Sequence, residues 1–318
     1  MPAVTADLRR LPRLPVLPID TRLRPLLAVV PSVRTLEGEG FQVRRPFPGV
    51  DLSLADPFLL LDHIGAVEYA PGEAKGTPWH PHRGFETVTY MIDGAFEHQD
   101  STGGGGMITN GATQWMTAGA GILHIEKPPE SLVSKGGLFY GIQLWVNLPA
   151  AHKMLTPRYQ GLEPGDVGLV AGEDGASLVR IIAGEVGGVT GPGQTFTPIT
   201  YLHATVAPGS RLTVPWHPEF NALVYALNGD GFAGPERVEL QEGELALFGA
   251  GQALTIEAAA AQPGHSAEGW DVLILGGQPI NEPVARYGPF VMNTRDEIIK
   301  AMEDFRAGRM GTLRPTGA

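Results

Sequence analysis

Residues Pro78 to Tyr90 read PWHPHRGFETVTY, and from Pro215 to Tyr225 the chain writes PWHPEFNALVY. Each copy sets Trp-His between prolines and then alternates apolar and polar residues, the period of a half-buried strand. Further on, AGAGILHIE (118–126) lines up with GAGQALTIE (249–257). Two matches in the same order indicate a duplicated β unit. The copies differ in their histidines. On this alignment His217 matches His80, Glu219 stands where His82 stands, Thr255 stands where His124 stands, and Glu257 matches Glu126.

The 318 residues suffice for two domains with a large total core. Gly 43 and Pro 28 are high and charged residues, at 18%, are low, so the chain is cut into short segments with many turns. That composition predicts an all-β architecture. A net charge of −11 opposes a direct nucleic-acid partner. With no cysteine, disulfides and thiolate zinc sites are excluded, and any metal must be held by His and carboxylate. Residues 1–32 form a Pro/Arg-rich arm without the apolar core of a signal peptide. Its longest apolar run, PLLAVV, is far short of the ~20 residues of a membrane span. A cytoplasmic protein is expected.

Strand-like runs follow: FQVRR (41–45), DPFLLLDHIG (56–65), ETVTYMIDG (86–94), ILHIE (122–126) and LFYGIQLWVNLP (138–149). The Asp93-Gly94 pair predicts a hairpin turn. After a less regular stretch the pattern resumes with LVRIIAG (178–184), ITYLHATV (199–206), NALVYALNG (221–229), ELALFG (244–249), ALTIEA (253–258) and DVLILGG (271–277). We therefore divide the chain into the arm, a first β domain at 33–158, a linker at 159–177, a second β domain at 178–290, and a helix with tail at 291–318. The helix has a capping residue at Asn293 or Thr294, an apolar face of Ile298, Ile299, Met302 and Phe305, and a stop at Gly308.

On a strand, residues i and i+2 share a face, so His80 and His82 point together, as do His124 and Glu126. If the two strands face each other across a barrel, three imidazoles and a carboxylate converge. Such a set suits a divalent first-row metal with positions left open for substrate and O₂. Glu86 has the parity of His80 and His82, so spacing leaves two sets open: His80, His82, His124 with Glu126, or the same histidines with Glu86. Phe85, Trp115, Met116 and Trp145 are candidate pocket walls, and Gln114 and Gln143 candidate donors to the ligands.

The segments HPHRGFETVTY, QWMTAGAGILHIE and GIQLWVNLP, in that order, resemble the pirin family of the cupin superfamily. RRPFPG, DPFLLLDHIG and MNTRDEIIKAMEDFRAG resemble its flanking segments, so the likeness runs from Val33 to Met310. The resemblance implies a bicupin: two β-sandwich barrels face to face, with one metal in the N-terminal barrel and a C-terminal helix. It implies His80, His82, His124 and Glu126 as ligands, most readily to Fe(II), with Zn, Cu, Ni or Mn as alternatives. It leaves the second barrel a degenerate site, at most a weak ion site at His217, Glu219 and Glu257.

The activity it implies is quercetin 2,3-dioxygenase: opening a flavonol ring with O₂, with Glu126 as ligand and catalytic base. The alternative it implies is an iron- or redox-dependent regulator that binds a transcription factor or metabolic enzyme with negligible turnover. A third reading is a cupin isomerase without O₂ chemistry.

Overall fold

A computed structural model describes residues 2–38, 40–264 and 269–312. It is built on two seven-stranded antiparallel sheets. In spatial order the first runs Arg158–Leu162, Thr113–Thr117, Phe85–Asp93, Gly137–Asn147, Phe58–Tyr69, Phe41–Arg45 and Val33–Glu37. The second runs Leu26–Pro31, Glu244–Phe248, Ala222–Asn228, Trp270–Gly277, Ile199–Val206, Ser177–Ala183 and Gly168–Ala171.

A four-stranded sheet backs each one. In the first unit it is His80–His82, Ile122–Lys127, Phe96–Asp100 and Gly105–Ile108. In the second it is Arg211–Pro215, Ala253–Ala258, Gly231–Ala233 and Val238–Leu240. The two units match strand for strand, as the sequence repeat predicts, and each is a β-sandwich barrel.

The seven-stranded sheets pack on each other, and one buried cluster draws on both: Leu61, Val88, Trp115 and Leu144 from one side, Tyr201, Leu223, Leu247 and Leu275 from the other. The seam carries two reciprocal polar pairs. Tyr90 Oη lies 2.8 Å from His203 Nδ1, and Tyr225 Oη lies 3.0 Å from His63 Nδ1. Tyr90 and Tyr225 sit on matching strands, and so do His63 and His203, so each barrel contributes the same two residues. Burial lowers the pKa of His63 to about 3 and also lowers that of His203, which keeps both rings neutral at the seam.

The barrel interiors differ. The second is filled by Leu202, Trp216, Val224, Leu254 and Trp270. The first encloses a cavity of about 460 Å³ that reaches His80, His82, Glu126, Gln143, Trp145 and Arg286.

Several expectations change. The arm is part of the second barrel rather than a separate segment: Leu26–Pro31 pairs with Glu244–Phe248 as the edge of that barrel's sheet, and Leu14 enters its core. The stretch read as a linker supplies Arg158–Leu162 to the first sheet and Gly168–Ala171 to the second. Asp93-Gly94 is not a simple hairpin, because the strands on either side of it lie in different sheets and the turn carries the chain across the sandwich.

The helix Arg295–Arg306 is capped by Thr294, whose side chain accepts from Glu297 N in a reciprocal capping box. Ile298 and Ala301 are buried, but Ile299 and Phe305 are 44% and 42% exposed. The apolar spacing misplaced that face because the buried row includes Asp304, which an apolar count passes over. The tail at 313–318 lies outside the described residues. Among the described residues no helix is long and apolar enough to cross a membrane.

Candidate metal centre

The histidine strands are not opposed across the barrel; they are hydrogen-bonded neighbours. In the four-stranded sheet His124 pairs directly with His80, and Ile122 with His82. Directly paired residues share a face, so the three imidazoles meet on the inner side. Ring centroids are 4.9 Å apart for His80 and His82, 4.2 Å for His80 and His124, and 4.8 Å for His82 and His124. One nitrogen from each lies within 4.8 Å of the others.

The protonation pattern suits an ion. His80 Nδ1 lies 2.9 Å from Pro78 O, and His82 Nδ1 lies 3.3 Å from Pro289 O. A carbonyl only accepts, so each Nδ1 carries the proton and each Nε2 is left with its lone pair. His124 Nε2 is buried without a hydrogen-bond partner. Burial, reinforced by the neighbouring imidazoles, holds the pKa values of His82 and His124 well below the usual range. Metals bind the neutral ring, so His82 and His124 are already in the state that an ion requires.

Glu126 lies on the same strand, two residues from His124, and reaches the cavity. Its Oε1 is 3.1 Å from Thr89 Oγ1 and 3.2 Å from Gln114 Nε2. Its carboxylate also comes within metal-holding range of His124 together with His98, a combination that spacing did not single out.

Glu86 is elsewhere. Gly84, at φ +87°, turns the chain between the histidine strand and Phe85–Asp93 and resets the alternation. Glu86 then accepts from Thr117 Oγ1 at 2.7 Å and Thr195 Oγ1 at 2.6 Å, away from the imidazoles. Burial raises its pKa.

Of the predicted walls, Phe85 and Trp145 stand edge-on to His82, with centroids 5.1 and 5.4 Å away. Met116 packs with Ala118 and Ile122, whereas Trp115 belongs to the inter-barrel seam, not to the cavity. Gln143 lines the cavity, and Thr89 Oγ1 donates to its Oε1 at 2.6 Å.

Three residues here escaped the sequence reading. His98 and Asp100 face inward from Phe96–Asp100, and their i, i+2 spacing is the same signal that exposed His80 and His82. Arg286 arrives from the far end of the chain and stacks on Trp145, 4.6 Å from the ring centre. No local pattern marks it.

The second barrel's register overturns the alignment of the repeated tetrapeptide. Thr255 occupies the place of His124, but the residue paired with it is Thr213, not His217. Six residues (216–221) separate Arg211–Pro215 from Ala222–Asn228, against two (83–84) in the first barrel. The second PWHP therefore lies in a longer loop, out of step by four residues. His217 is exposed and its carbonyl accepts from Arg24 Nη2, while Glu257 is ion-paired with Arg211 and Arg237. His217, Glu219 and Glu257 do not converge among the described residues.

Comparison with known proteins agrees with this architecture. The pirin family model matches residues 40–146, and the pirin C-terminal cupin domain model matches residues 201–311. A pirin-like protein of Solanum lycopersicum is 42% identical over 279 residues, covering 87% of this chain and 90% of that protein. Human pirin is 37% identical over 281 residues, covering 87% and 91%. The crystal structure of quercetin 2,3-dioxygenase from Acinetobacter baumannii superposes with a TM-score of 0.84 at 37% identity, covering 92% of this chain and all of that one.

Proposed function

The chain belongs to the pirin family, and from that premise we propose that it is a mononuclear metal dioxygenase that opens flavonols such as quercetin with O₂. His80, His82, His124 and Glu126 are its ligands, and Fe(II) is the ion that best fits three imidazoles and a carboxylate with open positions. The observation that carries this reading is the cluster of three imidazoles, two of which, His80 and His82, line a 460 Å³ cavity together with Glu126. That volume lies within the range of small-molecule sites. The likeness to a structure named as a quercetin 2,3-dioxygenase supports the same substrate class.

A bound divalent ion supplies a Lewis acid that anchors oxygen atoms of the substrate and orients O₂. The protein's own groups do the rest. Gln114 Nε2 donates to Glu126 Oε1, which leaves Oε2 to take the proton of the flavonol 3-hydroxyl. Phe85 and Trp145 present an aromatic wall beside His82 for a planar ring. The guanidinium of Arg286 lies over Trp145 at the cavity edge, where it can face the anionic side of the deprotonated substrate.

The test is metal analysis of protein purified without added metal, together with O₂-electrode assays over a flavonol panel after loading with each first-row ion. About one equivalent of metal and stoichiometric loss of O₂ and flavonol are expected. Full loading with no O₂ uptake for any flavonol would reject the dioxygenase and favour the regulatory reading.

A further inference from the structure

Beyond the three imidazoles, the inner face of the same four-stranded sheet carries a second line of buried groups. Along Phe96–Asp100, His98 pairs with Glu126 and Asp100 pairs with His124. The side chains of His98 and Asp100 have no exposed surface. Asp100 Oδ1 accepts from Thr102 N at 2.8 Å, Thr102 Oγ1 at 2.6 Å and Gly104 N at 3.0 Å. Its Oδ2 is thereby turned to His98 Nε2, 3.4 Å away. The other ring nitrogen, His98 Nδ1, lies 3.3 Å from His124 Nδ1. Tyr159 stacks on the His98 ring, with centroids 5.2 Å apart and planes 24° from parallel.

Donor and acceptor roles along this line follow from chemistry. A carboxylate only accepts, so His98 carries its proton on Nε2 and keeps the lone pair on Nδ1. That lone pair needs a donor, and the facing group is His124 Nδ1. With its proton on Nδ1, His124 presents a bare Nε2, the buried atom without a protein partner.

We propose that Asp100 and His98 are positioning residues: an Asp100–His98–His124 chain fixes the tautomer and tilt of His124 and so sets the metal affinity of the centre. The proposal rests on the reading of His124 as a ligand. It differs from the arrangement at His80 and His82, where backbone carbonyls take the Nδ1 proton. His124 uses another imidazole instead, and that imidazole is itself oriented by a carboxylate.

The second barrel provides an internal control. Strand pairing places Phe232 opposite Glu257, as His98 lies opposite Glu126. Gly234 N donates to Thr255 O, which puts Gly234 at the position of Asp100. Thus Phe232, Gly234 and Thr255 replace His98, Asp100 and His124 together. Neither relay position keeps its residue in the barrel that lacks the ligand.

A rival is that His98 is itself a ligand, with His124 and Glu126, since these three also lie within reach of one ion. In that arrangement His98 would turn a nitrogen to the ion, whereas here its Nδ1 lies 3.3 Å from His124 Nδ1.

The experiment uses the full-length protein, Zn²⁺ as a spectroscopically silent probe, and ¹⁵N-histidine labelling. In the metal-free wild type, His124 should be protonated on Nδ1 and His98 on Nε2. Zn²⁺ should shift Nε2 of His80, His82 and His124 and leave His98 unchanged. His98→Leu should raise the Kd for Zn²⁺ by about 10- to 100-fold, the usual effect of losing a group that orients a ligand. His98→Gln, whose Oε1 can accept the same proton, should stay within about threefold of wild type. A wild-type His124 protonated on Nε2, a Zn²⁺ shift at His98 Nδ1, or equal losses in both variants would overturn the proposal. So would His98→Leu binding Zn²⁺ as tightly as wild type. If His98→Leu fails to fold, the wild-type tautomers and His98→Gln still decide. His124→Ala separates the two levels: unchanged Zn²⁺ affinity there rejects the ligand reading, whereas loss there with none in His98→Leu rejects only the relay.

Discussion

Replacing Asp304 with alanine tests whether the C-terminal helix holds the histidine strand in place. Arg83 directly follows His82, and its side chain is 5% exposed. Its Nη1 donates to Asp304 Oδ2 at 2.9 Å and its Nε to Ala120 O at 2.7 Å. Removing one partner of a buried ion pair costs about 3–5 kcal/mol, because the other charge stays behind. The lower end applies, since the Asp304 side chain keeps 11% exposure. Lys300 and Arg309 also reach Asp304 but are 61% and 53% exposed, so each of those pairs adds at most about 1 kcal/mol. Alanine recovers roughly 0.5 kcal/mol of helix propensity. A net loss of about 3 kcal/mol in urea denaturation at pH 7 is expected, against under about 1 kcal/mol for Lys300→Ala.

The pH dependence gives a second check. Hydrogen bonds from Lys300, Arg83 and Arg309 hold the Asp304 carboxyl far below the usual range. A depressed carboxyl stabilises the fold above its unfolded pKa, about 4, and that contribution fades as pH falls toward the lower folded value. The gap between wild type and Asp304→Ala should therefore be full at neutrality and narrow below about pH 4. A loss under about 1 kcal/mol at pH 7, or a gap that persists unchanged in acid, would refute the ion-pair reasoning.

Other outcomes follow from the same geometry. Glu126→Gln should weaken metal binding and abolish most flavonol-dependent O₂ uptake; full activity in that variant would remove Glu126 from the chemistry. Glu86→Gln should keep its metal and lose about 1–3 kcal/mol, because Thr117 and Thr195 donate to different carboxylate oxygens and the amide nitrogen that replaces one of them cannot accept; metal loss there would restore Glu86 as a ligand. Metal analysis should give one equivalent per chain, and a second tight equivalent abolished by His217→Ala would contradict the register that places Thr213, not His217, opposite Thr255. Gly84→Ala should lower the melting temperature sharply: a Cβ would sit 2.0 Å from Val291 O at a φ of +87°, combining about 1–3 kcal/mol of backbone strain with a similar overpacking cost. An unchanged melt would mean that the Val291 backbone yields to the added methyl group at no cost, against this reasoning.

Period-two alternation made the strands legible, and the duplicated motifs made the two barrels legible, because both signals are local. The histidine cluster was legible for the same reason: His80 with His82, and His124 with Glu126, are i, i+2 pairs. What the sequence hid was parity across breaks. Gly84 flips the face of everything after it, so Glu86, in step with His82 on paper, points into the seam. The repeated PWHP misled in the same way, since four extra loop residues shift it off the strand. The helix face was misjudged because Asp304 is buried by an ion pair rather than by apolar contact. Arg286 was invisible because only the tertiary fold brings residue 286 to Trp145.

The two barrels share a frame, yet their two faces have diverged unequally, and burial explains which parts persist. At the seam, His63 serves Tyr225 and Tyr90 serves His203, so each residue of one barrel satisfies a residue of the other. Losing any one member would strand a buried polar partner at about 1–3 kcal/mol. The reciprocal pairs therefore constrain both copies at once. Interior positions carry no such cross-constraint, and the second barrel has filled its interior with Trp216, Trp270 and aliphatic residues. That apolar solution is available to the same frame. The first barrel instead buries His82, His98, His124, Asp100 and Glu126 together. Packing alone would not select so many desolvated polar groups over hydrocarbon. Their retention in one barrel, with His124 Nε2 left without a protein partner, is what a ligand that satisfied them, and so stabilised the folded chain, would account for.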